Sequence, residues 1–291
     1  EIHERLVGSE MCIRDRYQSS HTARFVSTIN RLVRKDAWEL RELVLAGKDP
    51  YARKKEMMQE IYDAQCIAFG EPVQTFDFSY RDKDKVYHEE RNLTPLDFYH
   101  QYVEGSLRDY VAIVNEPTEI MPLNKPIQFH GVENMVGRDM LALNLPQKEM
   151  EALCVKQLEA GDAIWFACDA GAYGARKEGV WDPESVCCEA LLGGFSTAMP
   201  KGRRLEYNSS SATHAMILVG VHFDETGVPD RWKIENSWGK DVGDGGYFVC
   251  SEKYFEDFVY EAVIHKKHLT EAQRKMLEEE PVIINAWDED H

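Results

Sequence analysis

Ser211-Ala212-Thr213-His214-Ala215-Met216 and, after it, Ile234-Glu235-Asn236-Ser237-Trp238-Gly239 decide how the rest of this chain is read. Both lie in strand-like sequence: residues 214–221 alternate and are apolar, and residues 232–236 form a second short run. Between them, residues 224–230 hold Gly227 and Pro229 and read as the connecting turn. An imidazole and a carboxamide are thus carried to neighbouring strands. Such a pair serves a thiol nucleophile. The imidazole takes the thiol proton and later gives it to a leaving amine, while the carboxamide oxygen holds the ring in one tautomer and plane. His214 alone says little, because a buried histidine usually does no more than satisfy a hydrogen bond. Trp238 beside Asn236 adds weight, since an indole there excludes water from the His–Asn contact. The order of the two stretches, followed by Gly246-Tyr247-Phe248, makes the pattern specific.

Bulk composition narrows the setting. A chain of 291 residues can bury a core as one large or two modest domains. Its 43% hydrophobic and 29% charged content is ordinary globular composition. No apolar run approaches the roughly 20 residues of a membrane-spanning helix, so no membrane partner is expected. A net charge of −17 counts against a nucleic-acid partner, which phosphate neutralisation by Lys and Arg requires. The short basic stretch 31–41 reads as a solvated helix face. The seven cysteines are scattered, with no Cys-x-x-Cys pair, which fits reduced thiols in a cytosolic protein better than a disulfide framework or a zinc site. No metal or cofactor is called for. Cys187 and Cys188 read as small, half-buried side chains in a helix.

Around the motif, Phe25, Val26, Ile29, Leu32, Val33, Leu40 and Leu43 recur at helical spacing, closed by Gly47 and Pro50. A second helix is predicted over 52–69, with Met57, Met58, Ile61 and Ala68 inward. Residues 75–92 read as strand fragments and loops. Thr94 as cap and Pro95 at the first helical position open a helix over 96–103. Further helices are predicted over 146–159 and from Asp182-Pro183 to Leu192, with a buried strand over 163–168 between them. Tyr247-Phe248-Val249 is a strand, Ser251 caps a short helix to Phe255, and 258–265 returns as a strand. Thr270 with Gln273 makes a capping box for a helix over 271–280, stopped by Pro281. Helices first and an antiparallel sheet last indicate an α+β protein of two lobes.

With these residues in place, the chain resembles the papain superfamily of cysteine peptidases, and within it the bleomycin hydrolase and aminopeptidase C family. The resemblance runs from about Tyr17 to Asp288. It is carried by Tyr80-Arg81-Asp82-Lys83-Asp84-Lys85, Leu93-Thr94-Pro95-Leu96-Asp97-Phe98-Tyr99, Ile164-Trp165-Phe166 with Cys168-Asp169, and Thr213-His214-Ala215-Met216. Trp232-Lys233-Ile234-Glu235-Asn236-Ser237-Trp238-Gly239 and Ala286-Trp287-Asp288 complete it. The family implies a papain-like fold, a helical lobe plus an antiparallel β-sheet lobe with a helical insertion. It also implies cytosolic aminopeptidase activity on peptide substrates and homohexamers with active sites facing a central cavity. On the matching positions, His214 is the general base and acid, Asn236 its orienting partner and Trp238 the shield over their contact. In the family a C-terminal arm lies in the cleft, its carboxylate meeting the substrate's free amine. Here the ending Ala286-Trp287-Asp288-Glu289-Asp290-His291 departs from the family's pattern and puts that role in doubt.

The family's nucleophile, in a Cys-Trp-x-Phe setting, is absent. Cys66 lies 148 residues before His214, inside the spacing of roughly 130–150 typical of papain-like enzymes. Ile67 follows it instead of Trp, however, and Glu60 stands where a Gln would donate to an oxyanion, so it reads as a core residue. Cys168 reads as lying near the substrate pocket, away from the reacting carbon. The nucleophile segment is therefore expected upstream of Tyr17, and this chain alone is expected to be inactive. Residues 1–16 include Leu6–Arg16, which resembles translated sequencing-adapter read-through and is not expected to be native. The domain reading follows: 17–160 the remainder of the helical lobe and its insertion, 161–269 the β-rich lobe with His214 and Asn236, and 270–291 a C-terminal helix and arm. The alternative function is a catalytically inactive homologue acting as an oligomeric scaffold.

Overall fold

Helical spacing of Phe25, Ile29, Leu32, Leu40 and Leu43 is realised as helix α1, Ala23–Leu45. It belongs to a computed structural model that describes residues 22–103, 105, 107–131 and 139–285. The chain divides after Glu104 into two compact units. In the first, α1 ends where Gly47 takes a positive φ of 69° and the amides of Gly47 and Lys48 bond back to Val44 and Leu43. Helix α2, Tyr51–Phe69, packs on α1: Arg53 donates to Glu39 at 2.8 Å, and the Phe25 and Phe69 rings meet edge-on at 4.8 Å. Met57 is buried, but Met58, expected inward, is 55% exposed. One residue further round a helix turns a side chain by about 100°, enough to carry it off the packed face. Residues 75–92 are better ordered than expected. They form the antiparallel hairpin of β1 (Phe76–Arg81) and β2 (Tyr87–Leu93), whose turn is held by Asp82 accepting the Asp84 and Val86 amides. Helix α3, Pro95–Tyr102, opens with a complete Thr94/Asp97 capping box.

The second unit carries, in order, β3 (Tyr110–Val114), β4 (Lys125–His130), β5 (Met140–Asn144), α4 (Gln147–Glu159), β6 (Ile164–Cys168), β7 (Gly174–Ala175), β8 (Val180–Trp181), α5 (Cys188–Leu191) and α6 (Lys201–Glu206). There follow β9 (His214–Phe223), β10 (Pro229–Glu235), β11 (Tyr247–Ser251), α7 (Glu252–Phe258), β12 (Val259–His265), α8 (Glu271–Met276) and β13 (Val282–Asn285). The strands make one sheet in the order β13-β4-β5-β3-β12-β6-β9-β10-β11-β8-β7. Pairing is mostly antiparallel, with β3–β5, β4–β13 and β8–β11 parallel. The architecture is α+β, as the sequence indicates. Helices α4 and α7 close one face of the central strands over a core that includes Ile164, Phe166, Met216, Leu218, Trp232, Ile234, Phe248 and Phe255. Burial of such side chains contributes about 1.5–3 kcal/mol each, so this face anchors everything built above it.

Two helix predictions come out differently. Residues 182–192 were expected as one helix. Instead Asp182 accepts the Glu184 and Ser185 amides, one turn closes at Val186, and Cys187 is extended before the four-residue α5 begins. A side chain that captures the nearest amides offers the backbone an alternative to helix propagation. Helix α8 keeps its Thr270/Gln273 capping box but stops at Met276, short of 280. Cys187 is half-buried, as expected. The apolar run after Pro281 is used by β13, while residues 1–16 and the arm from Ala286 lie outside the described residues.

Candidate active site

Strand β9 begins at His214 and runs antiparallel to β10, with Ile217 opposite Glu235. One residue past β10, Asn236 donates its backbone N–H to Gly246 at 3.1 Å. This pairing puts His214 Nε2 2.9 Å from Asn236 Oδ1. The same oxygen accepts the Ser237 backbone N–H at 2.7 Å. An atom approached by an amide donor is the carbonyl end of the carboxamide, so the ring nitrogen facing it carries the proton. Nε2–H therefore donates to Asn236, and Nδ1 holds the free lone pair. His214 is left with one basic nitrogen of defined direction.

Trp238 covers this contact. Its ring stacks on the imidazole at 4.9 Å and 18°, and it packs in turn on Trp181 at 5.8 Å and edge-on to Phe248 at 5.6 Å. Half-buried behind an indole, the His–Asn bond is stronger than it is in open water. The Arg176 guanidinium lies 4.5 Å from the centre of the Trp238 ring, a cation–π contact. Glycine makes room for this crowding: a Cβ on Gly179 would sit 2.5 Å from the Gly243 Cα, and Gly243 itself has a φ of 60°.

The segment entering β9 is pinned from the other side. Thr213 donates its amide to the Cys168 carbonyl, and its hydroxyl accepts the Ala170 amide at 3.1 Å. Tyr260 donates to Ser210 and Ser210 to Asp169, each at 2.7 Å. Further back, the Lys201 ammonium donates to the Val259 carbonyl at 2.6 Å and to Glu256 and Gln147 at 3.0 Å. Burial pushes that ammonium down to about 7. Arg204 donates to the Asp257 carbonyl. Two basic side chains thus meet the carbonyl end of α7, where a helix carries negative charge. Arg176, Ser210, Tyr260 and Lys201 were not singled out from sequence, and Asp169 was quoted only within the resemblance. They are scattered single residues whose contacts exist only in the folded chain.

The two cysteines weighed as nucleophiles are placed as follows. Cys168 is the cross-strand partner of His214 on β6, yet fully buried, and burial pushes its thiol up to about 12. A thiol so placed stays protonated and unreactive at neutral pH. Cys66 is half-buried on α2 in the first unit. Among the described residues, one grouping could hold a metal ion: Glu151, Glu252 and Glu256. Its centre is taken by the Lys148 ammonium, 2.6–3.3 Å from all three.

The combination of a His–Asn pair under an indole, at the ends of two interior strands of a mostly antiparallel sheet in an α+β chain, defines a papain-like cysteine-peptidase scaffold. The chain belongs to the Peptidase C1-like family, whose model matches residues 6–290. It is 36% identical over 283 residues to Aminopeptidase C of Listeria innocua, covering 97% of this chain and 64% of that protein. It is 35% identical to human bleomycin hydrolase, covering 95% and 63%. The crystal structure of PepW from Lactobacillus rhamnosis superposes with a TM-score of 0.88 at 38% identity, covering 94% of this chain and 62% of that one. The chain therefore spans a little under two thirds of the length of these relatives. No helix among the described residues is long and apolar enough to cross a membrane.

Proposed function

We propose that this chain is the His- and Asn-bearing part of a cysteine aminopeptidase that hydrolyses N-terminal peptide bonds. His214 is the general base and acid, Asn236 orients it and Trp238 shields their bond. The nucleophilic cysteine, with its oxyanion donor, belongs to sequence upstream of Tyr17. Nδ1 of His214 takes the thiol proton as sulfur attacks the scissile carbonyl. The imidazolium, steadied by Asn236 Oδ1, then protonates the departing amine, and water releases the acyl group by the reverse proton transfers. The observation that carries this reading is the 2.9 Å Nε2–Oδ1 hydrogen bond, which leaves the opposite nitrogen basic. Family resemblance supports a cytosolic setting and a homohexamer, and the names of the relatives support a peptide substrate. No cofactor is required by this chemistry.

The test compares two proteins. The 291-residue chain by itself is expected to hydrolyse no aminoacyl amide, and iodoacetamide should find no hyperreactive thiol. Joined to the coding sequence recovered upstream of Tyr17, it should do both. An upstream sequence with Ser or Gly in the thiol's place, and no turnover, would leave the oligomeric scaffold as the function.

A further inference from the structure

Three residues beyond Cys168, the chain turns through Gly171, Ala172 and Tyr173 and faces the strap of residues 186–197 across a pocket of about 380 Å³. Pockets that take small organic groups fall at roughly 300–1,000 Å³. Most of the lining is apolar, from Ala172, Val186, Leu192 and Phe195, and the last two are 70% and 53% exposed at the surface. One charged group stands in it, the Glu189 carboxylate. Its Oε1 accepts hydrogen bonds from Tyr173 at 2.7 Å and Thr197 at 2.5 Å, while Oε2 is met by the weak Cys187 thiol at 3.4 Å. The Thr197 and Tyr173 hydroxyls hold the carboxyl down at about 2, so it is ionised at any physiological pH. Among the described residues no Lys, Arg or His forms an ion pair with it. A fixed anion, apolar walls and a half-used oxygen match a cation on an aliphatic stem.

The pocket also adjoins the proposed centre. Ala170 bonds to Thr213, the neighbour of His214, and Trp181, which packs on Trp238, donates to the Ala170 carbonyl at 3.1 Å. The loop that forms one wall is thus fastened to both sides of the His–Asn pair.

We propose that this pocket is a substrate subsite that accepts a peptide side chain ending in a cation, a lysine or arginine, with its methylenes on Leu192 and Phe195 and its charge on Glu189 Oε2. The assignment of the occupant as substrate rests on the peptidase reading; the recognition itself does not need turnover. The test is therefore binding. The ¹⁵N-labelled protein, in full, is titrated with Nα-acetyl-lysine amide, Nα-acetyl-norleucine amide and norleucine amide with a free α-amine, following the amides of Gly171, Gly174 and Phe195.

The lysine probe should bind about fivefold more tightly than acetyl-norleucine amide, the scale of a partly exposed ion pair, and the preference should shrink with added salt. Glu189→Gln keeps the carbonyl that Tyr173 and Thr197 donate to and removes only the charge, so folding should hold while the two acetylated probes become equal. Thr197→Val, which leaves the carboxylate in place, should retain the preference. Equal binding to the unaltered protein, or an unchanged preference in Glu189→Gln, overturns the proposal. Tighter binding of the free-amine probe than of acetyl-lysine amide overturns the side-chain assignment. Lysine preference without hydrolysis by the full-length protein sinks the peptidase reading alone; hydrolysis without lysine preference sinks this one alone.

Discussion

The two faces of strand β9 are finished to different degrees. On one, Met216 and Leu218 follow His214 into the core, 3% and 0% exposed, beside Phe166 of β6. On the other, Ala215 and Ile217 are half-buried opposite Ala167 and Trp165, and Trp165 is 41% exposed. That second face continues into a groove of about 930 Å³ lined by Leu107, Leu141, Trp165, Val263 and Glu261. The difference is one of completeness. The His214 ring is oriented by local contacts, while the sheet behind it keeps a partly exposed apolar face.

Substitutions can break or sharpen that contrast. His214→Ala, in the protein with its upstream sequence, should lower turnover about 10⁴-fold while substrate binding holds, read as a fall in kcat without a matching rise in KM. A small loss would mean that the finished face is not the catalytic one. Phe166→Ala, on the packed face, should cost about 3–5 kcal/mol in denaturant unfolding through the cavity it leaves. Asn236→Ala should reduce kcat about 10²-fold, because the ring loses its preferred tautomer and plane but keeps its basic nitrogen.

Smaller effects belong to the open face. There burial, and then the charge of Glu116, push the Glu261 carboxyl up to about 7. A carboxyl raised in the folded state contributes its stability in full below the unfolded value near 4.5 and loses it as pH climbs through 7. Glu261→Gln should therefore match the unaltered protein at pH 5 and exceed it at pH 8 by about 1–2 kcal/mol, discounted for partial exposure. A stability difference independent of pH would contradict this. Trp165→Ala, one residue from Phe166 but facing the other way, should cost under about 1 kcal/mol in this chain and reduce its binding of hydrophobic dyes. A cost equal to that of Phe166→Ala would show the two faces to be equally packed.

Much of this was legible in the residues. The His214–Asn236 pair could be read because both sit in one hairpin, where a period-two pattern and a Gly/Pro turn set the geometry. Thr94/Asp97 and Thr270/Gln273 were legible for the same reason, being local hydrogen-bond circuits three residues long. Strands β3, β4 and β5 were not anticipated, nor was α6. Several of their partners lie far off in sequence: β3 pairs with β12 and β4 with β13, although β4 and β5 also pair with each other, and α6 is held through Lys201 and Arg204 to the end of α7. Glu189 was invisible for a related reason. Its neighbours Tyr173 and Thr197 approach it only after the predicted helix over 182–192 gives way to a strap.

Asn236 owes its orientation to the amide of the very next residue, and that has a consequence in time. The hydrogen bond between His214 and Asn236 can form only once β9 and β10 have paired, because neither strand end is placed before then. On the proposed function, a thiol supplied from upstream would meet an oriented imidazole only after that pairing, so competence would arrive with the closing of one hairpin.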